Sequence, residues 1–444
     1  MSLDVYLSGK RIGALYPGRR EAIYPTGSSE YRFAYLPEIV EEAPGAPLLS
    51  HALPVRPEPY GPEETRPYIE GLLPQGDRRE AIAEELGVDP GDGYSLIAEL
   101  GRDCPGAIVF LPKARAPYPC DRDSLAWLDG DELEELVGEE PECFFDPEHE
   151  RRMRFALPGE RHKLALIRDE QEDRWAWPEA GAPSTHIVKP ESEACPGFAI
   201  NEMACTMALR EMGLPVAHAE LMEIAGRTCL VSKRFDRWGE GVAAERLHQE
   251  SFSQALGYAP EDAEGKGPGY AESCELLKPL AEVDSIKALF AVSYCRFLIG
   301  CRDEVHGSST SLLYTADGPL LAPFFDIAST AVYEDSTESL TFEDLVERNS
   351  CLAGLARVAI ECDFALQPSL IMAIETIGNL YMALAGVAKR AKAEGWYEPV
   401  IDEVLTRVFD CAKSFREEVQ ILKPPSAGGR PTPGSPPESG GKRP

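Results

Sequence analysis

The chain has 444 residues, 43% apolar and 27% charged, a globular balance with length for two or three packed units. Acidic residues outnumber basic ones 75 to 44, and a net charge of −31 repels phosphate backbones and anionic membranes, which argues against direct nucleic-acid or membrane binding. The 12 cysteines form no Cys-x-x-Cys pair and keep no zinc spacing with the 7 histidines, so reduced thiols in a cytoplasmic protein are expected.

Val5 and Leu7 alternate ahead of Ser8-Gly9, and Ile12 and Leu15 follow, which predicts a hairpin; Tyr31, Phe33 and Tyr35 predict a third strand. Met1 to Tyr6 carries Asp4 and no apolar core, so no secretory signal is expected there. A Pro-rich loop is predicted from Leu53 to Pro67, then helices over 78–86 and 94–100, with Asp92 or Gly93 near the second start, and a buried strand over 106–111. Residues 1–112 therefore form a small α+β unit, and 113–150 a charged connector with one short helix.

A second unit, 151–249, begins with a hairpin of Lys163–Ile167 and Trp175–Trp177 and a third strand at Thr185–Lys189. Ile200, Met203, Ala204, Met207 and Ala208 recur at helical spacing up to Gly213, and Ala217–Ile224 and Thr228–Phe235 add two strands around Ala225-Gly226. From 250 to 422 the pattern is mostly helical, interrupted by a short two-strand ribbon around Ala316-Asp317-Gly318. The stretch Ala288–Gly300 is broken by Arg296 and is too short to span a bilayer. The tail 423–444, with Pro-Pro and Gly-Gly runs, is disordered by composition.

Five strands with one intervening helix, followed by a helical unit, is the order of a two-lobed protein kinase. Phosphoryl transfer needs a cation on the phosphates, a metal-binding acid and an acid near the attacking hydroxyl. Lys189 ends a strand and precedes the helix carrying Glu202, the order a Lys–Glu pair requires. Asp303 follows the apolar helix ending Phe297-Leu298-Ile299-Gly300, and Asp326 follows Pro323-Phe324-Phe325 just beyond the ribbon. Two carboxylates flanking a ribbon can meet at one metal–phosphate site.

At these residues the chain resembles the HipA-like serine/threonine kinases, the toxin component of bacterial toxin–antitoxin pairs. The resemblance runs in order through Leu72-Leu73-Pro74, Gly101 to Ala107, Leu157-Pro158-Gly159 with Lys163, Thr185 to Lys189, Asn201-Glu202, Arg234-Phe235-Asp236-Arg237, Leu247 to Glu250, Leu298-Ile299-Gly300 with Asp303 and His306, and Leu321 to Asp326. It implies an α+β, two-lobed protein-kinase-like fold with an N-terminal α+β subdomain, and an enzyme that uses ATP and Mg²⁺ to phosphorylate Ser or Thr of a cytoplasmic protein. It further implies that Lys189 holds the ATP phosphates, that backbone groups near Lys233 and Phe235 meet the adenine, that Asp303 orients the substrate hydroxyl and that Asp326 binds Mg²⁺. Residues 156–163 would form the phosphate-covering loop, with Gly159 allowing close approach; Lys163 would assist there or simply start a solvent-facing strand. The implied partner is a helix-turn-helix antitoxin that binds DNA itself.

Three departures bear on activity. The family's Asp-x-His-x-Lys-Asn segment reads Asp303-Glu304-Val305-His306-Gly307-Ser308-Ser309 here, leaving Ser309 to replace the metal-binding asparagine. Ala156 stands where the family carries a self-phosphorylated serine, and Arg161 where glutamine is usual. Two readings follow: an active kinase, or a pseudokinase that binds ATP or a partner without efficient transfer.

Overall fold

Ser8 and Gly9 both adopt positive φ, 48° and 78°, which lets the chain reverse in two residues between β1 (Leu3–Leu7) and β2 (Lys10–Pro17). This computed structural model describes residues 2–18, 31–113, 125–138, 145–146, 151–152, 155–178, 182–191, 194–239, 241–260, 267–280, 283–301, 307–333, 359–360 and 364–421. Strands β3 (Tyr31–Tyr35) and β4 (Ile108–Pro112) complete an antiparallel sheet of order β3-β2-β1-β4. Four helices belong to this unit: α1 (Pro37–Glu42), α2 (Pro62–Glu70), α3 (Gly76–Leu86) and α4 (Gly93–Leu100). Asp92 caps α4 as expected, its carboxylate accepting from the Ser95 amide at 3.1 Å.

Helix α2 corrects the Pro-rich loop expected over Leu53–Pro67. Pro62 sits in the first turn, where its missing N–H costs nothing, and Glu64 reaches back to the Gly61 amide at 3.1 Å. The second proline, Pro67, is accepted inside the helix, which buries Tyr68 and Ile69.

A short edge strand, β5 (Ala126–Trp127), and helix α5 (Gly130–Gly138) come next, then the pair β6 (Phe145–Asp146) and β7 (Arg151–Arg152). The second sheet follows with β8 (Leu164–Asp169), β9 (Arg174–Trp177), β10 (His186–Pro190), helix α6 (Phe198–Glu211), β11 (Ala219–Ile224) and β12 (Arg227–Lys233). Its order is β11-β12-β10-β8-β9-β5, so it has six strands where five were expected; the sixth comes from the presumed connector. Pairs β13 (Arg237–Trp238) and β14 (Glu245–Arg246) lead to the helical lobe. That lobe holds β15 (Gln249–Ser251), α7 (Phe252–Leu256), α8 (Tyr270–Leu277), α9 (Val283–Ile299), the ribbon β16 (Ser311–Thr315) and β17 (Gly318–Leu321), α10 (Leu366–Glu394) and α11 (Val400–Ile421).

Among the described residues α10, rather than 288–300, is long and apolar enough to cross a membrane. Its Leu380, Leu384 and Val387 are fully buried and it packs on α6, α9 and α11, so it is the central helix of the lobe's core. A separate core joins the N-terminal unit to the six-stranded sheet: Phe110 and Leu73 share it with Ala156, Leu164 and Val188.

That shared core is locked by a buried ion cluster. Asp103 of the N-terminal unit accepts from Arg237 at 2.9 Å and Arg246 at 3.0 Å, and lies 3.5 Å from Arg234. Arg234 grips Asp236 bidentately at 3.0 and 2.8 Å, and Asp236 accepts from the Gly106 amide at 2.6 Å. Burial opposes the charge on Asp103, but Arg237, Arg234 and Arg246 outweigh it and hold the carboxyl below its usual range. Gly106 must be glycine here: at φ +77°, a Cβ would lie 2.7 Å from the Gln249 amide nitrogen.

Candidate active site

Lys189 reaches the inner side of the second sheet because β10 pairs with β12 in the register Lys189↔Leu230. Its ammonium donates to Glu202 Oε1 at 2.6 Å and to Asp326 Oδ1. Glu202 is placed by α6, whose first amides, Phe198 and Ala199, are capped by Glu191 at 2.8 and 3.1 Å. Asn201, one residue earlier, exchanges two hydrogen bonds with the Ser329 backbone at 2.7 and 3.0 Å, tying α6 to the segment beyond Asp326.

Asp326 sits at φ 53°, a left-handed conformation that Asp tolerates better than most residues but that still needs support. Two straps supply it. Phe324 exchanges backbone hydrogen bonds with Pro215 and Ala217, both at 2.8 Å. Arg296, nearly buried, donates to the Phe325 carbonyl and the Ser309 carbonyl, each at 3.1 Å, bridging the two segments that flank the ribbon. In the sequence Arg296 was only an interruption in an apolar helix; its position near the C-terminal end of α9 gave no hint of this bridge.

The charges respond to this crowding. Burial opposes the Lys189 cation, but Asp326 and Glu202 hold its pKa above the ordinary lysine value. Burial likewise opposes the Asp326 anion, and Lys189 and Lys163 outweigh it, keeping the carboxyl well below the usual range while 41% of the side chain stays open. Burial raises Glu202, so the pair shares one strongly ionic partner, Asp326, and one weaker one. Lys163 is 7% exposed and donates to the Pro158 carbonyl at 2.8 Å; burial pushes its pKa down to about 8. It is not a solvent-facing strand start.

Gly159 adopts φ +95°, and a Cβ there would lie 2.9 Å from the Lys163 ammonium. The positive φ is what calls for glycine, while a Cβ would push aside the flexible end of Lys163. Arg161 lays its guanidinium 3.4 Å over the Phe198 ring at the start of α6.

Lys163, Lys189 and Asp326 border a cavity of about 410 Å³, which Leu157 and Pro158 line from the loop, Ser232 to Phe235 from the end of β12, and Phe325 beside Asp326. The Phe235 and Phe325 rings meet with centroids 5.4 Å apart. The Lys233 side chain turns outward to Glu170 at 2.7 Å, and its amide donates to the His218 carbonyl, so it borders the cavity as backbone. The flanking Arg234, Asp236 and Arg237 belong to the buried cluster, which the sequence showed as a motif without revealing that it anchors this rim. Gly71, Gln75, Gly76 and Arg79 of the N-terminal unit also line the cavity, a contribution no local sequence pattern could show.

Asp303 and His306 lie outside the described residues. Ser309 is buried with its hydroxyl lacking a hydrogen-bond partner among the described residues, whereas Ser308 lines the cavity. No group of three or more His, Cys, Asp or Glu among the described residues forms a metal cage. One carboxylate beside cations fits a metal shared with phosphates, as Mg²⁺ usually is. His248 packs its ring 5.0 Å from Tyr314 and bonds the Leu49 carbonyl at 2.8 Å, joining the helical lobe to the N-terminal unit.

A sheet lobe and a helical lobe closing on a Lys–Glu–Asp cluster define a protein-kinase-like fold. Residues 155–389 match the HipA-like C-terminal domain and residues 3–111 the HipA N-terminal domain. The chain belongs to the HipA-like family. It is 33% identical over 343 residues to Y4mE of Sinorhizobium fredii, named as a kinase, covering 75% of this chain and 78% of that one. It is 26% identical over 308 residues to the serine/threonine-protein kinase toxin HipA of Shewanella oneidensis, covering 64% and 68%. The fold is that of Shewanella oneidensis HipA in its complex with HipB and operator DNA, with a TM-score of 0.74 at 20% identity over 95% of this chain and all of that one.

Proposed function

We propose that the chain is an active, cytoplasmic serine/threonine kinase that transfers the γ-phosphate of ATP to a protein, as the toxin of a toxin–antitoxin pair. The observation that carries this reading is Lys189, held by Glu202 behind it, meeting Asp326 at one cavity beside Lys163. Lys189 and Lys163 hold the phosphates, and the Phe235 rim receives the adenine. Bound Mg²⁺ would neutralise charge on the phosphates; Asp326 is its protein carboxylate, with a serine hydroxyl, Ser309 by motif position, as the second oxygen. Asp303 accepts the hydrogen bond of the attacking Ser or Thr hydroxyl and orients it. Because such transfer depends on charge stabilisation and positioning more than on covalent participation, a buried cationic cluster inside an acidic chain is the feature the reaction most needs.

The partner is a helix-turn-helix antitoxin, and operator DNA is reached only through it. The net charge of −31 supports that division. Purified protein is incubated with Mg²⁺, labelled ATP and a cell lysate. Label transfer that vanishes in Asp303→Ala and Asp326→Asn is expected; ATP binding by calorimetry without transfer refutes the kinase reading and leaves the pseudokinase.

A further inference from the structure

We propose that Arg78, carried by the N-terminal unit, is a positioning residue for the 156–163 loop and hence for the terminal phosphates of a bound nucleoside triphosphate. This rests on the nucleotide reading above and adds a device to it.

Arg78 lies in the first turns of α3 and is 2% exposed. Its Nη1 donates to the Leu157 carbonyl at 2.8 Å and the Gly159 carbonyl at 3.4 Å. The Gln75 amide also donates to the Gly159 carbonyl at 3.4 Å, and Pro74 forms a parallel bridge with Gly159. At the loop's other end the Ala156 amide donates to the Asp103 carbonyl at 2.9 Å. The N-terminal unit therefore grips the loop at both ends.

The side chain is an expensive choice for that place. Among the described residues no carboxylate offsets the burial of the guanidinium, which pushes its pKa down to about 10, and its Nε and Nη2 lack hydrogen-bond partners there. An apolar side chain would fill the same volume without an unpaired buried charge. What Arg78 supplies is one side-chain donor shared by the 157 and 159 carbonyls, while Lys163 takes the one between them, Pro158. Without Arg78 the Leu157 carbonyl loses its side-chain donor and the Gly159 carbonyl keeps only the 3.4 Å bond from the Gln75 amide, and a carbonyl dipole turned toward the cavity opposes a phosphate. Arg78 is not among the residues lining the cavity, so it acts through the loop and does not touch the nucleotide.

The test compares ATP with adenosine, both in Mg²⁺, by calorimetry on the full chain. Arg78→Met is expected to weaken ATP about tenfold, the scale of one charge-assisted hydrogen bond, and to leave adenosine within about twofold. Arg78→Lys, which keeps one donor, is expected to recover part of the loss. An unchanged ratio of the two affinities in Arg78→Met overturns the proposal, whether both ligands weaken together or neither does. Should that variant fail to fold, Arg78→Lys decides by the same ratio, with a loss of about threefold expected and no change refuting. Wild-type protein that binds neither ligand refutes the nucleotide reading itself, a result distinct from an unchanged ratio.

Discussion

Lys163 offers a direct reading of the site's electrostatics. With its pKa at about 8, the apo lysine is about nine-tenths charged at pH 7 and about one-tenth charged at pH 9. Burial depresses it, with the Lys189 and Arg78 cations adding to that and Asp326 opposing. Phosphate oxygens beside the ammonium favour its charged form, so the bound pKa exceeds the free one and binding takes up a proton above pH 8. ATP affinity is therefore expected to fall by about tenfold between pH 7 and pH 9, after which it continues downward until the bound pKa is reached. The ATP phosphates are already ionised over most of this range, so the slope belongs to the protein. Calorimetry at pH 8.5 in two buffers of different ionisation enthalpy counts the proton directly. Lys163→Arg stays charged throughout and should flatten the profile. A wild-type slope retained in that variant refutes the assignment and puts the proton on another group. For stability the sign is opposite to that of a paired lysine. A lysine depressed from 10.5 to about 8 destabilises the apo fold below pH 8, and this penalty is relieved as pH rises from 8 toward 10.5.

Asp103→Ala removes the acid shared by Arg237, Arg246 and Arg234 and leaves Arg234 and Arg237 crowded on Asp236. A loss of about 3–5 kcal/mol is expected in denaturant unfolding, since breaking a buried pair strands its partners; a loss below about 1 kcal/mol contradicts the cluster's structural role. Gly159→Ala places a methyl against the Lys163 ammonium in a left-handed conformation. It should weaken ATP binding about tenfold or more while leaving unfolding within about 1–2 kcal/mol of wild type, and equal affinity for ATP would show that the loop does not meet the phosphates.

Much of the fold was legible because local rules and packing agree. The Ser8-Gly9 and Ala225-Gly226 turns reverse the chain at positive φ, and the apolar period of α6 ends at Gly213. Helix α2 was missed because two prolines dominate its composition, although one of them is itself a start signal. Strand β5 was missed because two residues carry no period, and only the partner β9 makes them a strand. At the site, the order of elements pointed to the Lys189–Glu202 pair, 13 residues apart, whereas the contact of Lys189 with Asp326, 137 residues on, was not legible, since Asp326 was paired with Asp303. Arg78, Arg296 and Asp103 were not found, since each acts on backbone or charge far away in sequence, and no spacing rule reports that.

The N-terminal unit consequently has two physical connections to the cavity. The ion cluster fixes the rim at Arg234 to Arg237, while residues 74–78 and 103 hold the loop opposite. A rigid cluster of bidentate pairs has few alternative arrangements, whereas the loop contact rests on Arg78 and the backbone bonds of Gln75 and Asp103. The loop side is therefore the softer of the two, and on the proposed nucleotide reading a protein that binds the N-terminal unit and displaces α3 by even 1 Å would act on phosphate binding before it disturbed the Phe235 rim.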